Sequence, residues 1–113
     1  MTDSDADPRR GLGRDLEREL GRVDGRLRAM PLDRLERPSS SGPTPAELVH
    51  AAAQTLADLA ADGVGRPRRP LPELAPHGLA DQLVVTVNDV LDEGREPELR
   101  QAVDVLVALR RAL

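Results

Sequence analysis

The sequence predicts an all-α protein: a small bundle of three to four helices, with a disordered acidic N-terminus and a tethered N-terminal amphipathic helix. Three observations carry this expectation. Apolar residues recur at spacings of three and four along four separate segments. Gly and Pro gather mainly between those segments. The one run rich in β-branched residues, residues 83–87, has no second run to pair with, and a lone strand is not stable.

The first ten residues are acidic and poor in apolar side chains, which predicts a disordered tail. Residues 11–37 form the amphipathic N-terminal unit. Within it Leu16, Leu20, Val23, Leu27 and Met30 step by four and three, as a heptad seam does. Gly21 and Gly25 fall on its outer face, where each costs about 1 kcal/mol relative to Ala. Pro31 ends or kinks the helix. The seam is flanked by Glu17, Glu19, Asp24 and Arg26. A parallel homodimer would set Glu19 beside Asp24 of its mate, so a parallel zipper is disfavoured. An antiparallel pair, packing within the chain or a foreign helix is allowed.

Residues 38–43, PSSSGP, read as a linker. The core unit then spans 44–113. Thr44-Pro45-Ala46-Glu47 has the form of a capping box with Pro in the first turn, and opens a second helix. That helix is expected to reach Asp62, with Gly63 just past its end. Residues 63–78 hold too much Pro and Gly for regular structure, so they should cross the bundle extended, pinned by Leu71 and Leu74, with room for one short helical turn. The third helix spans 79–93, buries Leu79, Leu83, Val84, Val87, Val90 and Leu91, and leaves Gln82, Thr86, Asp89 and Glu93 wet. The fourth begins at Glu96-Pro97 and runs on to the last residue. Val105 and Val107 widen its apolar face, which marks it as central or shared with another subunit.

Composition narrows the chemistry. There is no Phe, Tyr, Trp, Ile, Lys or Cys among the 113 residues, and all 16 basic residues are Arg. Such usage matches GC-rich codons and a high-GC bacterial genome, and mutational bias then weakens any functional reading of the arginines. Without Cys there is no disulfide, thiolate metal site or cysteine nucleophile. The acidic opening, MTDSDADP, does not resemble a signal peptide, and no apolar stretch approaches the ~20 residues of a membrane span. A cytoplasmic protein with no membrane association is expected. The net charge is −4, unevenly spread: residues 9–37 carry +3 and residues 38–113 carry −4. The body is therefore not a nucleic-acid surface by bulk charge.

Candidate sites are few. His50 and His77 lie far apart in sequence, and no cofactor or metal is expected. The cluster Asn88, Asp89, Asp92, Glu93, Glu96 and Glu98 does not match a calcium-loop spacing. Serines fall only at Ser4 and Ser39 to Ser41, in segments read as flexible, and no preorganised catalytic set is visible. The function expected is therefore a non-enzymatic protein-interaction or regulatory module, with a foreign protein or a second copy as partner. Its candidate surfaces are Leu16, Leu20, Val23 and Leu27, the exposed side around Val105 and Val107, and Val85 among its acidic neighbours. The alternative is a small nucleic-acid-binding regulator. It would use Arg14, Arg18 and Arg22 on the first helix with Arg66, Arg68 and Arg69 in the loop. The loop sequence GRPRRP holds the Gly-Arg-Pro core of an AT-hook, but Val64 stands where a first Arg is needed. The plainer reading is a Pro-stiffened loop whose arginines pair with bundle carboxylates.

Overall fold

A computed structural model describes residues 7–38 and 42–113. It is an all-α bundle: α1 (Pro8–Ala29), a single turn α2 (Leu32–Leu35), α3 (Pro45–Val64), a 3-10 turn (Pro76–Gly78), α4 (Leu79–Glu93) and α5 (Glu96–Ala112). No strand occurs among the described residues, so the β-branched run folds as helix. No helix of the described residues is long and apolar enough to cross a membrane.

Each start and stop has a local cause. Asp7 caps α1, its carboxylate accepting from the Arg9 N–H at 3.0 Å, with Pro8 in the first turn. The helix therefore begins inside the segment read as a tail, and only residues 1–6 of that tail lie outside the described residues. The linker reading falls partly outside them as well, at 39–41. Thr44 and Glu47 form the capping box: the Thr hydroxyl accepts from the Glu47 N–H at 3.0 Å, and the Glu carboxylate accepts from the Thr44 N–H at 2.9 Å. At the N-terminus of α5, Glu98 accepts from the Arg95 N–H at 2.8 Å.

The C-terminus of α3 differs from expectation. The helix runs through Gly63 and ends at Gly65, whose φ of 72° is left-handed backbone. There the Gly65 and Arg66 N–H groups donate back to the Asp62 and Ala61 carbonyls, the pattern of a Schellman cap. Gly63 has another task. A Cβ at this position would lie 2.3 Å from the Glu93 carbonyl oxygen and 2.9 Å from the Gly94 Cα. The end of α3 thus rests on the bare backbone of the α4–α5 joint.

The four long helices close one core. α3 packs on α4 and α1 on α5; α3 on α5 and α1 on α4 complete the ring. Leu16, Leu56, Leu83, Leu99 and Leu106 are its largest fully buried side chains. With no aromatic residue available, α3 supplies closeness instead of bulk, burying Ala52, Ala53, Ala60 and Ala61. The N-terminal helix is accordingly one wall of the bundle.

Candidate protein-interaction site

The segment between α3 and α4 decides which surfaces stay open. Residues 66–75 have no regular structure and lie across the bundle as a strap. Two glutamines on the flanking helices hold its backbone. Gln54 on α3 donates to the Arg69 carbonyl at 3.0 Å and accepts from the Leu71 N–H at 2.8 Å. Gln82 on α4 donates to the Pro72 carbonyl at 3.0 Å. A proline-rich segment has few N–H donors of its own, so side-chain amides suit it as anchors. Gln82 was expected to face water but is buried, because the strap lies over it. Thr86, also expected wet, is 2% exposed and donates its hydroxyl to the Gln82 and Leu83 carbonyls of its own helix.

The strap arginines are engaged. Arg66 forms a two-pronged ion pair with Glu93. Arg68 binds Asp62 at 2.7 Å and reaches Asp58 at 4.0 Å. Hydrogen bonds from these guanidinium groups hold the Glu93 and Asp62 carboxylates below the usual range. Arg69 contributes its backbone carbonyl to Gln54. These pairings account for Arg66 and Arg68 without a phosphate. On α1, Arg22 pairs with Glu19 at 2.8 Å and Arg18 with Asp15 at 3.5 Å, while Arg14 is exposed. Arg9 is tied to the α4–α5 joint, donating to the Gly94 carbonyl at 2.8 Å.

The leucine seam is spent inside its own chain. Leu16 and Val23 are fully buried, Leu27 is nearly so, and Leu20 and Met30 pack against the same core at partial exposure. The reason is the neighbouring wall: α1 lies along α5, which offers Leu99, Leu106 and Leu109. A seam so placed presents no continuous apolar stripe to a partner. On α5, Val105 and Val107 are half-buried, and Val105 packs on the core.

Val85 is different. It is 57% exposed in the middle of α4, and Leu74 of the strap is 41% exposed nearby. Both line a groove of about 470 Å³ between α4 and the strap. Gln82 and Thr86 also line it, and Asp81 and Asp89 bracket Val85 at four residues on either side. Of the rim carboxylates, Asp81 meets Arg28 at 2.9 Å yet keeps 77% of its side chain exposed. Burial pushes the Asp89 carboxyl above its usual range, Glu93 and Asp92 push the same way, and Arg66 offsets part of it. Gln82 is 8% exposed, its amide N–H committed to Pro72, and its buried Oε1 acceptor has no partner among the described residues.

Elsewhere, His50 lines a separate cleft with Glu47 and Glu73, and its Nδ1 is buried without a partner among the described residues. His77 is exposed in the 3-10 turn. Among the described residues no group of three or more His, Asp or Glu side chains is placed to hold a metal ion. No protein-family model matches the chain, and neither a curated protein nor a solved structure shows significant similarity to it.

Sequence reasoning singled out Val85 but missed Leu74, Gln82 and the groove. The pinning leucines of the strap looked alike in sequence. Only the path of the strap separates Leu71, which packs on the core, from Leu74, which does not.

Proposed function

We propose that this chain is a non-enzymatic protein-interaction module that docks its partner in the groove between α4 and the strap. The observation that carries this reading is that Val85 and Leu74, both exposed, line one groove. A branched aliphatic residue left open on an otherwise well-buried helix is where the next apolar contact is gained. The seam of α1 no longer competes for this role, since its burial leaves it little surface to offer.

Self-association through this groove is electrostatically unfavourable. A two-fold relation about Val85 sets Asp89 of one copy against Asp81 or Asp89 of the other. The partner is therefore a foreign protein segment.

The test is a selection from a displayed library of 16-residue segments, with the full chain as bait and Val85→Asp as counter-bait. Val85 is exposed, so the variant should retain the native melting curve. Segments enriched on the native chain and lost on Val85→Asp are the expected result. A library that enriches nothing dependent on Val85 overturns the reading.

A further inference from the structure

We infer that the partner segment is a basic amphipathic helix, one aliphatic residue seated against Val85 and Leu74 and an arginine or lysine about one turn to each side. The inference rests on the docking reading above and specifies the chemistry of its occupant.

Two features of the groove select this class. The first is register. Asp81, Val85 and Asp89 are spaced by four, so they share one face of α4 and the two carboxylates stand ~12 Å apart along its axis. A partner helix with cations four residues before and after an aliphatic anchor matches that spacing. The second is charge. Asp92 lies three residues beyond Asp89 and extends the acidic edge, while Arg28 at Asp81 and Arg66 at Glu93 are already paired. An acidic or neutral segment would leave Asp89 with the burial and like-charge repulsion that now disfavour its ionised form. A cation placed beside it offsets the like-charge repulsion and favours the ionised form.

The pairs would be partly exposed, so their strength should be modest and salt-sensitive. Specificity would come from rejecting acidic segments as much as from attracting basic ones.

The experiment uses the full chain and three synthetic, Ala-rich 16-residue helices with a central Leu. Their residues four before and four after the Leu are Arg, Gln or Glu. Fluorescence anisotropy at low salt gives each affinity for the native chain and for Val85→Asp, Asp89→Asn and Asp104→Asn. Asp104 is an exposed carboxylate on α5 and serves as the control for bulk charge. Expected is an Arg probe about tenfold tighter than the Gln probe, a Glu probe weaker still, and an Arg advantage reduced by Asp89→Asn but not by Asp104→Asn. Arg and Gln probes that bind alike, both lost on Val85→Asp, would overturn the basic class and leave the docking groove standing. So would an Arg advantage equally sensitive to Asp104→Asn, which would be bulk attraction. Probes that ignore Val85→Asp, or none that bind, would sink both readings.

Discussion

The bundle closes along two faces built on different terms. Where α3 meets α4, α3 brings buried alanines, and at one end Gly63 sets backbone on backbone against Glu93 and Gly94. Where α1 meets α5, leucines and valines fill the space and a buried carboxylate bridges the helices. Glu19, 8% exposed, accepts from Arg110 at 2.8 Å and from Arg22 at 2.8 Å. The first face is specified by the absence of side chain, the second by side chains that must find each other across 91 residues of sequence. The contrast shows how a core without aromatics reaches one arrangement: close approach on one side, a polar latch on the other.

The largest effect should come from adding a single methyl group to the first face. Gly63→Ala puts a Cβ 2.3 Å from a carbonyl oxygen. The neighbour is backbone, so no rotamer change relieves it, and the end of α3 must move. A loss of about 3 kcal/mol is expected, at the upper end of ordinary overpacking. Urea unfolding followed by circular dichroism reads it as a lower midpoint at constant slope. A variant as stable as the native chain would mean the helices do not approach this closely.

The second face should break through its latch. Glu19→Gln keeps the shape but removes the charge that Arg110 and Arg22 bind, at a cost of about 2 kcal/mol. The pH dependence carries the same signature. Hydrogen bonding from Arg110, with the attraction of both guanidinium groups, holds Glu19 below the usual carboxylate range and outweighs its burial. Its contribution is thus fully present above the ordinary glutamate pKa and lost as pH falls through the lowered value in the fold. The acid limb of a stability profile should flatten in Glu19→Gln. An unchanged profile would show that the pair contributes nothing there.

Glycines on the outer side of α1 should respond with the opposite sign to Gly63. A Cβ at Gly21 or Gly25 meets nothing within 4 Å, and both sit in mid-helix. Each change to Ala should stabilise by about 1 kcal/mol, through backbone entropy alone. Thermal melts of the double variant would read about twice that gain, because the sites share no partner. If either substitution destabilises, α1 has a neighbour on that side in solution.

What could be read in advance follows the same division. Helix ends are legible at Thr44, Pro45, Glu47, Gly94 and Pro97, which act on their immediate neighbours, whereas the Asp7 cap of α1 falls in the segment that reads as a tail. Gly63 was misread because a glycine that ends a helix and one that lets two backbones touch look the same in sequence; the helix continued to Gly65. The Glu19–Arg110 bridge and the clamps at Gln54 and Gln82 were not legible at all. A polar residue on an amphipathic helix is solvated by default, and only tertiary packing reveals that something covers it. The groove depends on the strap's path, and so on those same contacts. Val85 was found from its acidic surroundings, while the apolar seam of α1 drew attention to a surface that the fold consumes.

The smallest effect contrasts two carboxylates. Asp89 is held above its usual range by burial and by Glu93 and Asp92, against the pull of Arg66, so its sign is opposite to that of Glu19. In the fold its ionised form is the disfavoured one. It therefore subtracts from stability at neutral pH, and the penalty disappears as pH falls through the raised value. Asp89→Asn should stabilise the chain at neutral pH by less than about 0.5 kcal/mol. The gain should shrink between neutral pH and a pH below the raised value, where the native Asp takes up a proton. Paired unfolding curves at the two pH values measure it directly. A loss of stability at neutral pH would mean that Asp89 is already paired in the free protein. A basic partner would then meet a paired carboxylate at Asp89 as it already does at Asp81, and the proposed class of segment would lose its main charge contact.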